Sequence, residues 1–169
     1  LSDLDYSLIK KIKWYLSSKL NCKNFGIYKS FNTEYFIRPN LDLDQNKKAQ
    51  KIFDKELKKI KKNTDIYKLK FNKMPFGDLF YDTYLKKFYE PTINIETDIF
   101  KKFFHDFIRL IVFWEDYLNR NKVKAVVGVH GQYSYAIIHR LAARKKIPVI
   151  LHAEGKIYKI DKRHLFQHN

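Results

Sequence analysis

His130 and Glu154 are the two residues whose types and spacing best suit chemistry. Each follows a short apolar run, and an imidazole that titrates near neutral pH beside a carboxylate can serve as an acid/base pair or as a clamp on a polar substrate. Gly131, Gln132 and Tyr133 follow His130 in a polar turn that opens a helix. Backbone N–H groups there can face a ligand, which makes these three candidate substrate contacts. A second constellation lies in Gly77-Asp78-Leu79-Phe80-Tyr81-Asp82-Thr83-Tyr84-Leu85. Asp78 is a further candidate base, Asp82 a candidate partner for substrate hydroxyls, and Tyr81 a ring on which a substrate can stack. Structural roles compete with each of these. Asp78 can cap a helix that begins at Leu79, Asp82 can sit on its exposed face, and aromatic residues three apart, such as Tyr81 and Tyr84, commonly belong to a core. His130 can bond a backbone group to fix its turn, Glu154 can be solvated, and Arg140 suits a salt bridge better than a substrate contact.

Other chemistries find little to stand on. His105, His130, His139 and His152 lack a metal-ligand spacing, and His164 and His168, four apart, sit in a tail, so no metal site is expected. Gly128 and Gly131 do not make the dinucleotide fingerprint, and neither a Gly-x-Ser-x-Gly elbow nor a Walker sequence occurs.

The elements that must position His130 and Glu154 read as one βαβ unit. Residues 125–129 are β-branched and uncharged, as in a parallel strand buried on both faces. Tyr135, Ile138, Leu141 and Ala142 then recur at helical steps, and residues 147–151 give a second strand after the helix. The two polar strand ends should emerge side by side on one rim of the sheet. The predicted fold is an α/β, Rossmann-like three-layer domain with a mostly parallel sheet flanked by helices. Upstream, a surface helix is predicted from about Asp3 to Leu20, and two short strands over residues 25–31 and 34–37. A Lys-rich helix should follow, capped by Asp42 or Asp44, with Ala49, Ile52, Phe53, Leu57 and Ile60 inward. A long aromatic helix starting at Thr97 or Asp98 should pack on the sheet.

The chain of 169 residues carries 34 basic and 18 acidic residues, a formal charge of +16, with 45% hydrophobic and 17% aromatic content. That is a folding composition of single-domain size. The excess charge is mostly Lys, with only six Arg. Lys is a hydrated point charge, whereas base readout leans on Arg, so nucleic acid is not the expected partner, while an anionic membrane surface is a candidate. The lone Cys22 excludes an internal disulfide, and no run is long enough for a membrane span. A cytoplasmic location, peripheral to the inner membrane face, is the expectation. Starting at Leu1 and stopping at Asn169, the chain reads as part of a longer protein.

The order GDLFYDTYL, PTINIE, a long aromatic helix, and then KAVVGVHGQYSYAIIHRLAARKKIPVILHAEGKIYKI resembles the amino-terminal halves of bacterial capsule and surface polysaccharide biosynthesis proteins, which are glycosyltransferase-like. The residues that carry the resemblance are Gly77, Asp78, Tyr81, Asp82, Tyr84 and Leu85, then His130, Tyr133, Arg140, Leu141 and Ala142, and Ile147-Pro148-Val149. It spans roughly residues 25 to 160. The resemblance implies a GT-B-like arrangement of two Rossmann-like halves, with this chain as the acceptor-side half. It further implies a saccharide or lipid-linked saccharide acceptor, and a nucleotide-sugar donor bound by a missing carboxy-terminal domain, with no cofactor in this chain. The rival reading is a noncatalytic basic module that docks on nucleic acid or an anionic membrane.

Overall fold

The computed structural model describes residues 8–20, 24–153 and 155–160, which fall into two compact units, one ending at Asn40 and one beginning at Leu41. In the first, α1 spans Leu8–Lys19 and α2 spans Asn24–Ser30. The part of the predicted first helix before Leu8 lies outside the described residues. The two strands predicted over 25–37 do not form. Residues 24–30 are helical instead, and Asn32 takes a left-handed φ of 59° that lets Thr33 N–H donate to Tyr28 O at 3.3 Å. The Asn-Thr pair thus ends a helix rather than turning a hairpin.

The second unit is mainly helical. Its α3 (Leu43–Leu57) begins where Asp42 accepts from Gln45 N–H while the Gln45 side chain accepts from Asp42 N–H, a closed capping box. Ala49 is buried, with Ile52, Phe53 and Leu57 partly so, as the apolar spacing predicts. After α4 (Asn63–Ile66) a hairpin of β1 (Lys70–Phe71) and β2 (Met74–Pro75) turns through Asn72 and Lys73, both at positive φ. It delivers the chain into α5 (Gly77–Phe88). The longest helix, α6 (Asp98–Arg120), starts at Thr97, whose hydroxyl accepts from Phe100 N–H at 3.1 Å. Its buried face is a ladder of Phe100, Phe103, Phe104 and Phe107, and Phe80 of α5 meets all four rings at 5.3–5.8 Å between centroids.

The βαβ unit is present: β3 (Val126–Gly128) pairs in parallel with β4 (Val149–Ala153), and α7 (Ala136–Arg144) connects them after a 3-10 turn at Tyr133–Tyr135. The Rossmann-like three-layer domain around it is not. Among the described residues the sheets have two and three strands, and the larger runs β3-β4-β5, with β5 (Lys156–Ile160) antiparallel to β4. Nor is β3 buried on both faces. Val126 is buried, but Val127 and Val129 are 73% and 71% exposed, so one face of the sheet is open. A three-stranded ribbon is too narrow to carry helices on both sides, and the long helix packs chiefly on α3 and α7 rather than on the sheet. The second unit is thus held by helix-on-helix aromatic packing with a small mixed sheet attached. No described helix is long and apolar enough to cross a membrane.

Because Phe80 is fully buried at the crossing of α5 and α6, Phe80→Ala should cost about 3–5 kcal/mol. Urea unfolding checks this, and a loss below about 1 kcal/mol would show that the ring cluster does not hold these helices together.

Candidate functional site

Two stretches of sequence, residues 77–86 and 128–140, meet at the carboxyl end of β3. The meeting begins at Gly77, where α5 presses onto the preceding loop. A Cβ built there would lie 2.0 Å from Ile66 O and 2.7 Å from the Tyr67 backbone, so no larger residue fits without displacing the helix start. Asp78 follows in the first turn and faces α7. Arg140 on that helix is 3% exposed, and its Nη1 donates to Asp78 Oδ1 at 2.7 Å and to Pro75 O at 2.9 Å while Nη2 donates to Asp78 Oδ2. This is a bidentate pair, anchored at the hairpin end as well. Asp78 does not act as a helix cap. Its carboxylate, 39% exposed, is engaged by Arg140 on both oxygens.

Tyr81 lies one turn further along α5. Its ring meets that of Tyr67 at 4.7 Å with a tilt of 32°. Partial burial first, then the phenol of Tyr81 and the carboxylates of Asp82 and Asp78, raise the Tyr67 pKa above its ordinary 10. Tyr67, Tyr81, Asp82 and Asp78 therefore share one patch. Tyr84, by contrast, is part of the core.

The second stretch supplies two histidines. His130 stands after β3 with its ring edge-on to Tyr133 and Tyr135, at centroid distances of 6.0 and 5.5 Å. Tyr133 holds a left-handed φ of 57°, a conformation that costs on the order of 1 kcal/mol in a non-glycine residue. Lys86 Nζ lies 4.1 Å above the Tyr133 ring, which fastens α5 to the 3-10 turn by a cation–π contact. His139, one residue before Arg140, packs against Gly128. A Cβ at Gly128 would come within 2.3 Å of His139 Nε2, so the glycine makes the room for the imidazole. Among the described residues, no group pairs the covered Nδ1 of His130 or of His139. An unpaired buried polar atom costs about 1–3 kcal/mol, so a folded chain does not keep two side by side without cause.

The helices carry these groups as two adjoining clusters. Asp78 and Lys86 both sit on α5, about 12 Å apart along its axis, while His139 and Arg140 are neighbours on α7. Asp78 and Arg140 lie with Tyr67, Tyr81 and Asp82; His130 and His139 lie with Tyr133, Tyr135 and Lys86. Gly131 and Gln132 join the clusters along the turn, with Gln132 exposed and Gly131 partly covered. No hydrogen bond links His130 to Asp78 among the described residues. Glu154 lies outside the described residues, so the His130–Glu154 pairing predicted from sequence has no geometry to report. The strand before it, β4, ends at Ala153, and His152 ahead of that end is exposed. Among the described residues no group of three or more His, Cys, Asp or Glu is placed to hold a metal ion.

Sequence reasoning missed Tyr67, Lys86, Tyr135 and His139. Lys86 was detectable in principle, since it stands four residues after Asp82 and eight after Asp78 on one helical face. His139 was not, because only the fold shows which ring opposes Gly128.

The ion pair should respond unequally to loss of its partners. Asp78→Ala strands a buried guanidinium and should cost about 3 kcal/mol, whereas Arg140→Met leaves a carboxylate that regains water and should cost less. Urea midpoints give the ranking, and the reverse order would refute the assignment. His139 supplies a pH test. Burial first, and then the charge of His130, lower its pKa from 6.5 to about 4. The unfolded chain takes up a proton that the folded chain refuses, so stability should fall as pH drops from 6.5 towards 4. The slope reaches about 1.4 kcal/mol per pH unit, and no slope arises from this group above that window. His139→Met should flatten the fall, and an unchanged pH profile would remove His139 as its source.

Comparison with family models, with curated proteins and with solved structures finds no match to this chain.

Proposed function

We propose that this chain is the acceptor-binding portion of a glycosyltransferase-like enzyme of bacterial surface or capsular polysaccharide assembly. In this reading a saccharide or lipid-linked saccharide docks at the end of β3. The observation that carries it is convergence: the residues behind the sequence resemblance, Asp78, Tyr81 and Asp82 on one side and His130, Tyr133 and Arg140 on the other, meet across α5 and α7 although Asp78 and Arg140 are 62 positions apart. Packing alone accounts for Gly77, Tyr84, Leu141 and Ala142, which are buried. It does not account for a covered His130 nitrogen with no partner among the described residues, the strained Tyr133 or the half-open tyrosines beside Asp82.

His130 acts as the general base. An acceptor hydroxyl gives its proton to the imidazole as its oxygen bonds the anomeric carbon of the donor sugar, and the bond from that carbon to the nucleotide diphosphate breaks. Tyr133 and Tyr135 flank the acceptor, Gln132 and Asp82 bond its hydroxyls, and Asp78, held by Arg140, positions α5. A nucleotide-sugar donor belongs to a separate donor-binding half, whose charges stabilise the leaving diphosphate. That donor chemistry favours the cytoplasmic side of the membrane, with exposed lysines drawing the protein to anionic lipid. A second reading, a noncatalytic basic module for nucleic acid or membrane, draws on the lysine face of α3.

An NMR titration with neutral and acidic oligosaccharides tests the site. At least one saccharide should shift the imidazole signals of His130 while leaving His105 in place, and a panel that moves neither overturns the reading. In the complete enzyme His130→Ala should slow sugar transfer by about 100- to 10,000-fold with acceptor affinity little changed. An unaltered rate would remove His130 as base.

A further inference from the structure

Away from His130, α3 and the β1–β2 hairpin form the walls of an open groove of about 730 Å³. Lys47, Lys51 and Lys55 line one wall at four-residue steps, so their charges recur about every 6 Å along the helix. Lys70 and Lys73 line the other, and the acids of the lining are Asp44 and Glu56. None of these five lysines forms an ion pair among the described residues, whereas Lys48 is paired with Glu115 and Lys59 with Glu56. Glu115 also accepts from Asn72 Nδ2 at 2.8 Å, so a single carboxylate on α6 ties both walls and sets the width of the groove. The lysine charges are thus brought together by a built frame.

We propose that this groove binds an extended acidic polysaccharide chain. Its length supports an extended strand: the groove runs along α3, whose 15 residues make about 22 Å of helix. A duplex, whose major groove alone is about 12 Å wide, would meet the groove only at its rim. Single-stranded nucleic acid fits by width, but such sites stack bases on exposed rings, and the one aromatic side chain here, Phe71, is buried. The groove also contains no arginine, the residue that reads phosphates bidentately. A lipid surface fits no better. The adjoining apolar pocket beneath Ile52 and Phe71 holds about 20 Å³, room for a water-sized group and not for an acyl chain, and a flat bilayer would meet only the rim. A chain with one carboxylate on each ring or every other ring suits the row of hydrated lysine charges, which tolerate variable geometry.

The test uses the whole chain and four probes in parallel: a fluorescent oligogalacturonide of about ten residues, a neutral oligosaccharide of the same length, oligothymidylate of equal charge, and vesicles containing phosphatidylserine. The oligogalacturonide should bind, and more tightly than the other three. Its affinity should fall at least tenfold between about 50 and 200 mM salt. The variant Lys47→Gln/Lys51→Gln/Lys55→Gln should lose at least tenfold in affinity. The charge-matched control Lys101→Gln/Lys122→Gln/Lys124→Gln should lose less than twofold. Because all six positions are exposed, folding is not at stake. Equal or tighter binding of oligothymidylate, binding to vesicles alone, equal loss in both variants, or no binding to any polyanion would each overturn the proposal. His130 is untouched throughout, so the two sites can fail separately.

Discussion

A guanidinium without water must have partners, and much of the second unit is arranged around giving them to Arg140. The side chain reaches from α7 to the last carbonyl of the β1–β2 hairpin and to the first turn of α5, closing a distance of more than sixty residues along the chain. Desolvation makes this pairing strict: an ion moved out of water loses several kcal/mol of hydration, which well-placed hydrogen bonds must offset. The hairpin, the start of α5 and the crossover helix are therefore set relative to one another. Gly77 makes the close approach feasible by leaving no side chain where α5 meets the Ile66–Tyr67 backbone. The histidine cluster inherits this order, because His139 is the next residue on α7 and Lys86 is two turns along α5.

Around that polar tie the stability is aromatic. Phe80 touching four phenylalanines of α6 concentrates apolar burial at one helix crossing, in edge-to-face and tilted arrangements that ring quadrupoles favour. The outer faces of the same helices carry the lysines. Glu115 and Asp116 on α6 meet Lys48, Asn72, Gln45 and Arg120, so the few acids of a basic chain are spent joining elements rather than diluting charge.

The helices with a strong apolar period were legible in the sequence. Asp42 and Thr97 cap where their side chains indicate, Ala49 and the α6 phenylalanines face inward, and the parallel pairing of the βαβ unit follows from two β-branched runs around an amphipathic helix. The extent of the sheet was not legible. A run such as Ala125-Val126-Val127-Gly128-Val129 has the same composition whether one face is covered or two, and the exposure of Val127 decides between them only in three dimensions. The aromatic run at 25–31 failed for a related reason, since β-propensity reports a good fit to a pleated surface and the described residues offer no partner strand to provide one. In the site, the individual candidates could be picked out by residue type. Their adjacency could not, because Lys86 over Tyr133 and His139 against Gly128 join separate segments with no shared period.

The outermost strand, β5, places Lys156 and Lys159 on an edge whose other neighbour is solvent among the described residues. Were two molecules to align these edges antiparallel, cationic ends would be driven together before any backbone ladder could close. Bare valines on the adjoining sheet face thus lie beside a charged edge, and concentrated electrolyte, by shortening the reach of that repulsion, is the condition that weakens this protection.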